Sequence, residues 1–105
     1  MTDALFTSAY LALLHNVTRY YAASPPPASG KPLHFFCTVG MMSQTKPLAA
    51  VQATIAAANA AGLSASFLDM RNGVADGCGG HPGPEGHWLM ALQAAPQIKA
   101  AMGWT

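Results

Sequence analysis

His81 is the residue best placed to do chemistry. It stands in Gly77-Cys-Gly-Gly-His-Pro-Gly-Pro-Glu-Gly-His-Trp-Leu-Met-Ala91, a glycine- and proline-rich loop that runs straight into a helix start. A neutral imidazole is the usual general base near pH 7, and glycines at 77, 79, 80 and 83 with Pro82 specify an unusual backbone path around it. A base of this kind activates a hydroxyl. Asp76 and Glu85 are the nearest carboxylates in sequence to orient the ring, although Glu85 near a helix N-terminus is also explained by the helix dipole. His87 falls in the first turns of that helix and reads as a packing or capping residue. His15 and His34 fall in a helix and a strand and read as structural.

Two other chemistries compete for the same loop. Cys78, His81 and His87 form a C-x2-H-x5-H cluster with ligand types suited to zinc, but the spacing fits no standard zinc pattern and no residue is identified as the fourth ligand. The reading therefore assigns no metal and no cofactor. Cys37 and Cys78 are the two cysteines of the chain. They are either buried free thiols or a disulfide tying the His81 loop to a strand end, and sequence alone leaves both open.

The elements that must position these residues are read from periodicity. Residues 4–22 place Phe6, Tyr10, Leu13, Leu14, Val17, Tyr20 and Tyr21 at three- and four-residue spacings, which predicts a helix with a wide apolar stripe. The Pro25-Pro-Pro segment ends it and forms a stiff connection. Leu33 to Val39 is a continuous apolar run suited to a strand of a parallel sheet. A helix follows, with Pro47 in its first turn, Leu48, Val51 and Ile55 at helical spacing, and Gly62 as its C′ residue. Ser64 to Met70 reads as a second strand, residues 72–83 as a loop, Pro84 to Ala94 as a helix, and Pro96 to Met102 as a last short helix.

The order α-β-α-β-α-α has a β-α-β core, which implies parallel strands. Ligands gather outside the carboxyl ends of such strands. That rim would bring Met41, Met42 and Ser43 together with Cys78 and His81. Two parallel strands do not cover their own edges, so the 105 residues read as one partial α/β domain.

Composition limits the partners. Hydrophobic residues make up 51% of the chain and charged ones 9%, and the formal net charge is +1. Nothing in that balance calls for nucleic acid or an anionic membrane, and no apolar run approaches the ~20 residues of a membrane span. So apolar a small chain is expected to meet a partner or missing chain with part of its surface, and a homo-oligomer through the exposed sheet edge is one form of this. The first residues lack the basic and apolar regions of a signal peptide, which points to a cytosolic start.

The pattern Gly77-Cys78-x-Gly80-His81-Pro82-x-x-x-Gly86-His87-x-x-Met90-Ala91, with Met102-Gly103-Trp104, resembles the C-terminal end of SGNH (GDSL-type) hydrolases, closest to the acetyl-xylan-esterase-like carbohydrate esterases of family two. Phe35 to Met42 looks like the strand and loop before the last crossover helix there, and residues 4–22 like the helix after that family's glycine-asparagine block. The resemblance implies a three-layer α/β/α, flavodoxin-like fold and metal-free removal of acetyl groups from carbohydrate hydroxyls. It also implies secretion of the complete protein. His81 matches the family's catalytic histidine. The serine, glycine and asparagine blocks have no counterpart, and Cys78 and Gly79 stand where the family's acid is found three or two residues before the histidine. Ser43 lies on the expected rim but lacks the sharp turn of a nucleophile. The expectation is an esterase C-terminal portion that carries the base, has acetylated carbohydrate as its ligand once completed, and is inactive alone.

Overall fold

A computed structural model describes residues 1–25, 30–40, 47–71 and 73–105. The elements are α1 (Asp3–Ala22), β1 (His34–Cys37), α2 (Leu48–Ala60), β2 (Ser64–Phe67), a single 3₁₀ turn at Cys78–Gly80, and α3 (Pro84–Met102). The expected α/β class holds in its coarse form: helices accompany a two-stranded parallel sheet, with His34 opposite Ser64 and Cys37 opposite Phe67. Both strands are shorter than their apolar runs. Among the described residues, no helix is long and apolar enough to cross a membrane.

The two helices expected after residue 83 are one. Pro96 lies inside α3 without ending it. A proline in a helix interior costs one hydrogen bond, here the one to the carbonyl of Leu92. Leu92 is exposed, so the lost bond lies on the solvent side of the helix. The helix is also held on both sides of Pro96, because the Gln97 side-chain amide donates to the Gln93 carbonyl at 2.7 Å. It stops where Gly103 takes a left-handed conformation (φ 65°) and Trp104 N–H bonds back to the Lys99 carbonyl.

The chain divides into two compact units. The first joins Met1–Cys37 with Ala49–Phe67, and the second joins Thr38–Leu48 with Leu68–Thr105.

In the first unit, α1 starts at Thr2, whose hydroxyl accepts from Leu5 N–H at 3.2 Å. α2 ends as its sequence predicts, with Gly62 at φ 83° and Leu63 N–H on the Ala58 carbonyl. The core is small-residue packing: Leu14, Cys37, Ala50, Val51, Ala58 and Ala65 are buried. Ala50 is small enough for Thr7 of α1 to donate to its carbonyl at 3.3 Å. Thr54, fully buried, satisfies its hydroxyl on the same carbonyl at 2.8 Å. Side chains alternate along the strands, so Cys37 and Ala65 point toward the helices, whereas His34, Phe36, Ser64 and Ser66 share the other face.

The two edges of the sheet differ. Asn59, at the end of α2, donates to the Ala65 carbonyl at 2.9 Å and accepts from Ala65 N–H at 3.0 Å. Successive residues of a strand turn their backbone groups to opposite sides, so Asn59 covers the outer edge of β2 as another strand would. The backbone groups of His34 and Phe36 on the outer edge of β1 have no such cover among the described residues.

In the second unit, Val39, Leu68, Gly86 and Ala94 are buried. Gln97 of α3 treats Asp69 as Asn59 treats Ala65, accepting from its N–H at 3.0 Å and donating to its carbonyl at 2.8 Å. The Asp69 carboxylate in turn accepts from Nε and Nη2 of Arg71, each at 2.9 Å.

Candidate functional site

The loop from Gly73 to His87 is built around the Asp76 carboxylate. Its Oδ1 accepts from Gly83 N–H at 2.6 Å and Gly86 N–H at 3.0 Å, and its Oδ2 accepts from Glu85 N–H at 3.1 Å. These donors belong to the first turn of α3, where free N–H groups and the helix dipole favour an anion. Gly83 occupies the N-cap and has no side chain to supply one. Asp76 supplies it from seven residues upstream. Desolvation pushes the Asp76 carboxyl up, but the backbone N–H groups of Gly83, Gly86, Glu85 and Asp76 itself outweigh it, and the net shift is downward.

The glycines make this clasp possible in two ways. At Gly86 an added Cβ would lie 2.3 Å from the Val74 carbonyl oxygen and 2.8 Å from Asp76 Oδ1. At Gly83 it would lie 2.8 Å from Asp76 Oδ2, and at Gly77 2.9 Å from the His81 carbonyl oxygen. These three glycines let backbone meet backbone. Gly79 and Gly80 have open space around them and φ of 63° and 78°, which turns the chain left-handed at the 3₁₀ turn. Gly77 N–H then donates to the His81 carbonyl at 2.9 Å, and His81 N–H to Cys78 at 3.2 Å.

His81 is fixed by its backbone alone. Its side chain is exposed, and among the described residues its imidazole has no hydrogen-bond partner. The expected orienting role of Asp76 is not the one in the structure, because both carboxylate oxygens are taken by α3. Cys78 is an exposed thiol and Cys37 a buried one; the disulfide alternative is not formed. Cys78, His81 and His87 do not gather, and no metal-holding group of three or more His, Cys, Asp or Glu exists among the described residues. Met41, Met42 and Ser43 lie outside the described residues.

Sequence reasoning misses two arrangements in the first unit. His34 spans β2 with both nitrogens, Nδ1 at 2.7 Å from Ser64 Oγ and Nε2 at 2.8 Å from Ser66 Oγ. A neutral imidazole then accepts from one serine and donates to the other. The i, i+2 serine pair opposite a histidine in a parallel register is its sequence signal. Its ring also packs edge-on to Phe36 with centroids 4.6 Å apart. This cluster uses up the imidazole and agrees with the structural role expected for His34. The other is Tyr10, whose phenol is pushed up to about 12 by burial and by its hydrogen bond to the Cys37 thiol. A shallow, open, mostly apolar groove between α1 and α2 is lined by Asp3, Thr7, Ser8, Leu11, Ala50 and Ala53.

Compared with known protein families, with curated proteins and with solved structures, the chain matches none.

Proposed function

We propose that these 105 residues are the histidine-bearing C-terminal portion of an SGNH-like carbohydrate esterase, and that the portion is not a catalyst by itself. The observation that supports this reading is His81: a loop shaped by five glycines holds it by its backbone and leaves its imidazole exposed and unused by the fold. In the reaction, His81 takes the proton of a serine hydroxyl from the complementary portion as that oxygen attacks an acetyl carbonyl. The proton passes to the departing sugar oxygen, and water then releases acetate from the serine. Asp76 holds the helix that follows His81 and does not touch the ring, so its part is positioning.

Assay of purified 1–105 on p-nitrophenyl acetate and acetylated xylan tests the reading. The expected result is no turnover above buffer. Extension with upstream coding sequence that contains a glycine-aspartate-serine-like block should give turnover that His81→Ala abolishes. Turnover that survives His81→Ala sinks the assignment of the base, and turnover by 1–105 that needs Ser43 sinks its incompleteness.

A second reading is a non-catalytic module that self-associates. Two features of the first unit favour it: the outer edge of β1, which has no backbone partner among the described residues, and the exposed Leu13 and Tyr20 of α1.

A further inference from the structure

Edge strands are usually kept from pairing with another chain by lysine, acidic residues or proline. Neither His34–Cys37 nor Ser64–Phe67 contains any of these. β2 nonetheless ends the sheet, and Asn59 is what ends it. A neighbouring strand offers a residue one acceptor for its N–H and one donor for its C=O. Asn59 offers Ala65 the same pair from one planar amide, with Oδ1 accepting from Ala65 N–H at 3.0 Å and Nδ2 donating to its carbonyl at 2.9 Å. An aspartate at 59 would leave the carbonyl without a donor, and an alanine would leave both groups bare. Outward-turned backbone groups alternate along a strand, so in the four residues of β2 they belong to Ala65 and Phe67. With Ala65 taken, an incoming strand meets at most one residue of β2, which is not a ladder.

The Asn59 amide is set in place by the way α2 ends. Its own carbonyl accepts from Gly62 N–H at 3.1 Å, and Leu63 N–H donates to the carbonyl of the fully buried Ala58 at 3.0 Å. Gly62, at φ 83°, turns the chain back so that Ala65 passes beside the helix end. The second unit repeats the recognition with another helix. Gln97 accepts from Asp69 N–H at 3.0 Å and donates to its carbonyl at 2.8 Å, and the Gln93 carbonyl ties it to α3 at 2.7 Å. Each unit thus spends one helix-borne amide on both backbone groups of one residue.

The number of free edges decides how far edge-to-edge association can go. Molecules with one free edge can only pair, because pairing uses the edge up. Molecules with two free edges add at either side without limit, as cross-β assemblies do. The outward groups of His34 and Phe36 on β1 have no backbone partner among the described residues. The sheet therefore stands one side chain away from open-ended growth.

We infer that Asn59 is a sheet terminator: it closes the β2 edge against a strand of a second molecule and keeps any association through this sheet finite. The role is independent of the function proposed above.

Sedimentation velocity and thioflavin T fluorescence over several days test it on wild type, Asn59→Ala and Gly62→Ala, with circular dichroism to confirm that each is folded. Gly62→Ala strains the left-handed turn but meets no atom and keeps the amide, so it controls for lost stability. The proteins are compared equally far below their melting midpoints. Wild type and Gly62→Ala should hold a fixed size no larger than a dimer. Asn59→Ala should grow beyond it, with about tenfold or more of the larger species, because each new contact regains two backbone hydrogen bonds. Asn59→Ser, whose hydroxyl is too short to serve both groups of Ala65, should grow as well and decides the matter if Asn59→Ala does not fold. Wild type that itself grows beyond a dimer overturns the inference, and so do folded Asn59 variants that keep the wild-type size. Equal growth in Gly62→Ala also overturns it, since lost stability rather than an opened edge would then be the cause.

Discussion

A partly buried phenol beside a thiol ionises with difficulty, because its anion loses hydration. For Tyr10 burial acts first and the Cys37 hydrogen bond second, and together they lift its pKa from 10.0 to about 12. A raised pKa favours the protonated form in the folded state, so its contribution to stability is complete below pH 10. It declines as pH rises through about 12. The expected outcome is a melting temperature that falls over that window in wild type and falls less in Tyr10→Phe, read by circular dichroism. An identical decline in both proteins would remove Tyr10 as its source. At the acid end, Asp69 is held down to about 2, chiefly by the Arg71 side chain and then by its backbone N–H, against a smaller desolvation. Both groups are partly exposed, so solvent screening keeps this pair's effect small.

The element that organises the candidate site is α3, and its start is set by glycines of two kinds. Gly86→Ala drives a Cβ into the Val74 carbonyl and the Asp76 carboxylate, and should destabilise the fold by about 1–3 kcal/mol. Gly80→Ala meets no atom and costs only the left-handed backbone, about 1–2 kcal/mol. Denaturant titration of both variants checks the order; if Gly80→Ala proved the costlier, close packing would not be what selects glycine at 86. These glycines were legible in the sequence as a loop with an unusual path. Their division of labour was not, since a close approach depends on which backbone arrives opposite. The same holds for Asp76: a carboxylate seven residues before an N-cap glycine leaves no local signature. Helix starts and stops at Pro47, Gly62, Pro84 and Gly103 were legible because their chemistry is local. Pro96 was misread for that very reason, as the local rule that ends helices at proline yielded to Gln97 and to solvent at Leu92.

For the whole molecule, the sequence made the parallel β-α-β arrangement readable. It did not show that side-chain amides from Asn59 and Gln97 complete backbone pairing, one in each unit, because amide side chains at helix ends have many ordinary uses. The Asp76 clasp also bears on how long an intact molecule lasts. Asp76-Gly77 is the type of dipeptide that ages by cyclisation, when the glycine nitrogen attacks the aspartate carboxyl and the ring reopens as isoaspartate. Here the carboxyl is held by three N–H groups of α3 and the attacking nitrogen is engaged with the His81 carbonyl. Peptide mapping after long incubation at neutral pH should find isoaspartate at 76 forming more slowly in the folded chain than in a peptide of residues 73–83, and faster again in Gly86→Ala. Equal rates in chain and peptide would mean that the clasp opens freely. With slower formation in the folded chain, the glycine-rich loop acts as a clock whose lifetime is set by the same three hydrogen bonds that start α3.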